Sequence, residues 1–83
     1  MVAIMTRHTA IIYTRTGCHL CDTAEEILLR HGLTPQRINI DANAVLRQRY
    51  HQCVPVVWID GKERFRGRVN EVLLSRILAE KGP

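Results

Sequence analysis

Two short runs, "TAIIYT" at residues 9–14 and "VPVVWI" at residues 54–59, are almost wholly apolar and rich in β-formers. Runs of that length, bounded by polar residues, predict strands buried on both faces. Between them the period changes. Over residues 18–31, Cys21, Ala24, Ile27 and Leu28 recur at helical spacing, which makes one face of a helix apolar. Asp22, Glu25 and Glu26 favour its first turns through the helix dipole, and Gly32 is a suitable C-terminal stop. In residues 33–40, Ile38 and Ile40 alternate with polar neighbours and predict a second strand. Asp41 is placed to cap a helix over about 42–51, with Val45, Leu46 and Tyr50 as its apolar residues. Asp60-Gly61 is a two-residue hairpin signal. It leads into a fourth strand at 62–66, whose charges mark it as an edge. A last helix over 69–81 carries Val69, Val72, Leu73 and Ile77.

The predicted order is βαβαββα, an α/β fold. The first βαβ unit should be parallel and right-handed, and the last two strands antiparallel. A four-stranded mixed sheet with helices on both faces follows. No linker, repeat or low-complexity stretch divides the chain. Residues 1–83 read as one domain, with an ordered core at about 9–81 and a short N-terminal extension at 1–8.

Composition narrows the class. With 83 residues and 46% hydrophobic content, the chain holds one domain with a real core and is too apolar to be disordered. No apolar run approaches the ~20 residues needed to cross a membrane. The opening "MVAIMTRH" has no long apolar segment and no small-residue cleavage site. A cytoplasmic protein without a membrane partner is expected. Three cysteines, two of them a close pair, fit a redox or metal role in a reducing compartment better than a secreted disulfide scaffold.

The formal net charge is +4. The arginines are scattered, and only Arg64, Arg66 and Arg68 form a dense set. On a strand these three share one face, from which they would steer anionic partners. RNA binding would want exposed aromatics, whereas Tyr13, Tyr50, Trp58 and Phe65 read mostly as core. Nucleic acid is therefore a weak reading, and a basic interaction domain without redox chemistry is one alternative.

Cys18 and Cys21 stand three apart at the start of the first helix, directly after a strand. That spacing puts them on one face, close enough for a disulfide. A helix N-terminus offers unpaired N–H groups and the positive dipole end, both of which favour thiolate over thiol. Cys18, at the cap, gains most, and Cys21, a turn deeper, is shielded. This predicts an asymmetric pair in which Cys18 attacks a disulfide and Cys21 resolves the mixed disulfide. A protonated His19 would favour the thiolate further. An inert staple is disfavoured, because so short a loop constrains the unfolded chain little. A zinc module using Cys18, Cys21, His51 and Cys53 is the other alternative. The His51-x-Cys53 spacing is unusual for one, and structural zinc sites usually take their CxxC from a tight turn.

Pro55 opens an apolar strand and removes a ladder donor there, which suggests a special backbone such as a cis peptide after Val54. Taken together, a strand, "TRTGCHLC", a helix, then "CVPVVWIDGKERFRGR" and a last helix resemble a glutaredoxin within the thioredoxin fold. The resemblance covers about residues 9–81. It implies that Cys18 is the nucleophile, that Cys21 is the resolving thiol, and that a cis Pro55 packs against the pair. It also implies that the Val54 backbone pairs with bound glutathione, and that Arg15 stands where a family lysine holds a glutathione carboxylate.

Some positions depart from the family pattern. His19-Leu20 replaces the common Pro-Tyr. Glutaredoxins typically end the fourth strand with two glycines and then two aspartates that take the glutathione amino group. This chain has Arg66-Gly67, then Arg68, Val69 and Asn70, so Gly67 is kept and the acidic pair is not. The pattern is closer to small glutaredoxin-like proteins of unassigned substrate. The expected activity is thiol–disulfide exchange on protein disulfides or glutathione mixed disulfides by a monomer with no bound cofactor. Electrons would come from glutathione as co-substrate or from a partner reductase. The candidate substrate-contacting residues are Arg15, His19, Leu20, Val54, Pro55, Gly67 and Arg68. Cys53 reads as a small buried hydrophobe, with a third redox thiol as the alternative.

Overall fold

A computed structural model of the chain describes residues 8–50 and 53–79. Its strands are β1 (Ala10–Thr14), β2 (Gln36–Asn39), β3 (Val56–Ile59) and β4 (Lys62–Arg66). Its helices are α1 (His19–Arg30), α2 (Ala44–Tyr50) and α3 (Glu71–Ala79), with a 3₁₀ turn at Ile40–Ala42 before α2. The sheet runs β2-β1-β3-β4. β1 and β2 are parallel, and the other two pairs are antiparallel. This is the mixed four-stranded α/β arrangement that the periodicity predicts.

Register decides which side chains share a face. Ala10 lies opposite Ile59, Ile12 opposite Val57, and Val57 opposite Phe65. These five residues face one way and pack with Ala24 and Leu28 of α1 and Leu74 and Ile77 of α3. On the other face Val56 packs with Ile40 and Tyr50, and Tyr13, Leu46 and Trp58 edge the cluster. The central strands β1 and β3 are thus covered on both sides, which is why their sequences are unbroken apolar runs.

The ends of the outer elements depart from expectation. Asn43, rather than Asp41, starts α2. Its side-chain oxygen accepts the N–H groups of Val45 at 2.9 Å and Leu46 at 3.1 Å. Starting at Ala44, this short helix buries Tyr50 and turns Val45 outward, leaving it 72% exposed. The expected end of this helix at 51 lies outside the described residues. Asn70 likewise starts α3 by accepting the N–H of Leu73 at 3.0 Å. Val69 therefore lies in the loop before the helix and packs half-buried against the core. Val72 and Leu73 face outward, while Leu74 and Ile77 face in. Residues 80 and 81 of the expected helix also lie outside the described range.

β4 carries a bulge. Arg66 pairs with Val56 and Phe65 with Val57, but Glu63 rather than Arg64 pairs with Trp58. The extra residue shifts the alternation, so Glu63 and Arg66, three apart, come onto one face. They form an ion pair at 2.6 Å. The expected common face of Arg64, Arg66 and Arg68 is not formed. Arg64 sits in the bulge, and Arg68 lies beyond the strand.

The β3–β4 connection is the tight turn that Asp60-Gly61 predicts, with φ of 54° at Asp60 and 80° at Gly61. Both residues are left-handed, as a type I′ turn requires. The Asp60 carboxylate accepts the Thr9 N–H at 2.9 Å and pairs with His8 Nδ1 at 2.6 Å. His8 Nε2 faces the Leu78 carbonyl at 3.2 Å. His8 thus has an acceptor facing each of its ring nitrogens. Among the described residues, no helix is long and apolar enough to cross a membrane.

Candidate active site

β1 ends at Thr14, and three residues separate it from Cys18, the N-cap of α1. The Cys18 backbone is extended, with φ −92° and ψ 104°, and its carbonyl accepts the N–H of Asp22 at 3.2 Å. Its Sγ accepts the N–H of Cys21 at 3.0 Å. Serine or aspartate oxygens usually make this capping bond, and here a sulfur does. Cys18 and Cys21 are joined by a disulfide with their Cα atoms 5.2 Å apart. Cys18 is half-buried, whereas Cys21 has no exposed surface. When the bond opens, the N–H and the positive end of α1 are in place to stabilise charge on Cys18 Sγ. Among the described residues no N–H donates to Cys21 Sγ, which is fully buried one turn into the helix.

The Val54–Pro55 peptide is cis. Tyr13 pairs with Val56 across the antiparallel β1–β3 ladder, which sets Pro55 level with Thr14, at the end of the sheet from which the cysteine loop leaves. Pro55 is fully buried and Val54 half-buried. The Gly67 N–H donates to the Pro55 carbonyl at 2.8 Å. This ties the loop after β4 to the proline segment. Gly67 has φ of 82°, a conformation that any side chain would strain.

The remaining candidates separate into two regions. Leu20, Gly67 and Arg68 come together around a groove of about 330 Å³ between α1 and the β4–α3 loop. Thr23, Ala24, Ile27 and Val69 complete its lining. Those four are not legible as site residues in sequence, because Ala24 and Ile27 belong to the apolar stripe of a helix and Val69 reads as part of the next one. Arg15 lies on another side, where it lines a hollow of about 370 Å³ with Ala44, Arg47 and Gln48. Its guanidinium pairs with Asp41 at 3.0 Å and, through Nε, at 3.2 Å. Asp41, expected as a helix cap, is thus the partner of a candidate site cation. His19 is exposed at the first position of α1, and its carbonyl accepts the Thr23 hydroxyl at 3.1 Å.

Cys53 is exposed, which corrects its reading as a buried hydrophobe. It lies before β3 and beside the Arg66 guanidinium. That guanidinium also sits 5.7 Å from the centre of the Tyr50 ring. Glu63 above all, and then the Cys53 sulfur, raise Arg66 further above its ordinary range. His51, the remaining member of the zinc alternative, lies outside the described residues. Among the described residues, no three His, Cys, Asp or Glu side chains converge as a metal site would require.

The family model for the glutaredoxin-like domain (DUF836) matches residues 9–79. The structure of a structural-genomics target protein from X. campestris is 30% identical with a TM-score of 0.73, over 84% of this chain and 95% of that one. A protein from Nitrosomonas europaea, solved by solution NMR, is 27% identical with a TM-score of 0.73, over 95% of this chain and 100% of that one. The buckwheat glutaredoxin–glutathione complex is similar in fold alone, at 21% identity and a TM-score of 0.60, over 87% of this chain and 71% of that one. No curated protein matches the chain. With a thioredoxin-type sheet, a CxxC pair at the start of its first helix and a family match over nearly the whole chain, this protein belongs to the glutaredoxin-like domain family.

Proposed function

We propose that the protein is a thiol–disulfide oxidoreductase. The observation that carries this reading is the Cys21 N–H donating to Cys18 Sγ at the mouth of α1, while the partner sulfur is buried. In the reduced protein the Cys18 thiolate attacks one sulfur of a substrate disulfide. The substrate S–S bond breaks, a Cys18–substrate disulfide forms, and the first substrate thiolate leaves and takes a proton from solvent. Cys21 then loses its proton and attacks Cys18 Sγ, which releases the second substrate thiol. Two electrons pass from the protein dithiol to the substrate, and the protein is left in the disulfide form. A thiol reductant, glutathione or a partner reductase, returns the two electrons.

In this reading Val54 and Pro55 shape the approach to Cys18, His19 flanks it at the start of α1, and Arg15, paired with Asp41, meets anionic substrates from the other side of the cysteine loop. Leu20, Gly67 and Arg68 contact the substrate, which is a protein disulfide or a glutathione mixed disulfide. The protein acts as a monomer in a reducing compartment such as the cytoplasm, with no bound cofactor. Cys53 is a third thiol outside the exchange itself.

The test is to equilibrate the protein in glutathione redox buffers, block free thiols and weigh it intact. A reversible loss of two protons at Cys18 and Cys21, or a glutathione adduct on Cys18, is expected. Thiols that stay reduced across the whole range of buffers would overturn the reading.

A further inference from the structure

Resting on that reading, the groove beside the pair indicates which disulfides are taken. Its lining is mixed: Leu20, Ala24 and Ile27 from α1 and Val69 from the facing loop are apolar, while Thr23, Gly67 and Arg68 contribute almost as much polar surface. Leu20 is 45% exposed, and with Ile27 and Val69 it forms a contiguous apolar side of the groove rather than an isolated surface leucine. The Thr23 hydroxyl donates its proton to the His19 carbonyl, which leaves its oxygen as an acceptor beside the groove. No carboxylate lines it. Its one charged group is Arg68, whose side chain is exposed and makes no ion pair or side-chain hydrogen bond among the described residues. Of the nearby carboxylates, Asp22 and Glu25 pair with Arg37, and Glu71 pairs with Arg30 and His31; Glu26, exposed on α1, is outside the lining and makes no ion pair among the described residues.

We infer that this groove receives an extended protein segment carrying an apolar and an acidic residue close to its disulfide cysteine, in preference to glutathione. The apolar side chain covers Leu20, Ile27 and Val69, and the carboxylate meets Arg68. Glutathione fits this lining poorly. It offers carboxylates to Arg68 but no apolar side chain to cover Leu20, Ile27 and Val69, and its γ-glutamyl ammonium meets no carboxylate in the lining. Dimensions set the spacing. Leu20 to Ile27 spans about 10 Å of helix, which an extended peptide crosses in about three residues. Both recognised residues therefore lie within about three positions of the cysteine.

The test follows the first exchange step. Short peptides, each with its cysteine held in a mixed disulfide with thionitrobenzoate, are mixed with the reduced protein. Release of the coloured thiolate reports attack by Cys18. The peptides carry Leu and Glu, Leu and Lys, or Ser and Glu within three positions of the cysteine, and glutathione thionitrobenzoate is run beside them. The Leu/Glu peptide should react fastest, by roughly three-fold over its Leu/Lys counterpart, the size expected for one exposed charge pair. Arg68→Gln should level the two and Arg68→Glu should invert them. Glutathione reacting as fast as the Leu/Glu peptide would overturn the inference. A charge preference that survives Arg68→Glu, or a Ser/Glu peptide as fast as the Leu/Glu one, would do the same. All of these outcomes leave exchange itself intact. No release from any disulfide would instead overturn the oxidoreductase reading, and the inference would fall with it.

Discussion

Gly67 donates its backbone N–H to the carbonyl of Pro55 at 2.8 Å. That single bond couples the segment before β3 to the loop that forms one wall of the groove. An added Cβ at Gly67 would meet nothing within 4 Å, but its φ of 82° is left-handed. The cost of a side chain there is therefore backbone strain rather than collision. Gly67→Val should destabilise the protein by about 1–2 kcal/mol. It should also slow exchange with peptide disulfides more than with a small symmetrical disulfide, because the loop moves and the cysteines do not. Urea denaturation read beside the two rates checks this, and an equal slowing of both would place the effect at the cysteines.

Removing either sulfur separates the two proposed roles. Cys18→Ser should abolish exchange. Cys21→Ser should still attack and then accumulate a mixed disulfide, visible as an adduct by intact mass. If Cys18→Ser retains full dithiol activity, the nucleophile has been assigned to the wrong cysteine.

The three cysteines should differ in access. In the oxidised protein, alkylation should mark Cys53 alone, because it is exposed and outside the disulfide. After reduction Cys18 should follow and Cys21 should lag, since it has no exposed surface. Peptide mapping of a brief alkylation gives the order. Cys53→Ser should leave exchange between Cys18 and Cys21 within about two-fold of normal, as surface changes away from special features are usually small.

Asp60 should contribute to an acid limb of stability. Burial pushes its carboxyl upward, but the hydrogen bonds from His8 and the Thr9 N–H, with the charges of His8 and Arg64, outweigh this and hold it below its ordinary value. A carboxyl depressed in the folded state stabilises at pH above its unfolded value. That contribution is lost as pH falls through the folded one. Glu71 is likewise lowered, first by its hydrogen bond with His31 and also by Arg30. Stability should therefore fall below about pH 4. Asp60→Asn, which tolerates the left-handed turn, should flatten that fall. Urea midpoints between pH 3 and 6 decide the matter, and an unchanged slope in the Asn variant would count against it.

Asp41 draws charge away from Arg15. Asp41→Asn should cost less than about 1 kcal/mol, because the pair is exposed. It should also speed attack on anionic disulfides, and the gain should disappear at high salt. An unchanged rate at low salt would show that Arg15 plays no part in attracting substrate.

The sequence by itself determined the sheet, α1 and the cysteine pair. Local chemistry suffices there: short β-branched apolar runs bounded by polar residues favour strands covered on both sides, Asp60-Gly61 admits little but a tight turn, and CxxC before a helical stripe puts both sulfurs on the first turn. The resemblance carried by "CVPVVWIDGKERFRGR" extended this to the family. Tertiary structure decided the rest. Asp41 and Asn43 are equally good caps by local chemistry, and only packing chooses Asn43, whereas Asn70, a far better cap than Val69, was already available in the sequence. One bulge at Arg64 undoes the arginine face by shifting the alternation, and no period in the sequence announces it. The groove is the clearest case. Ala24 and Ile27 lie in one element and Val69 and Arg68 in another some 40 residues away. Their meeting depends on how α1 and the loop before α3 pack on the same face of the sheet, a long-range arrangement that no local pattern encodes.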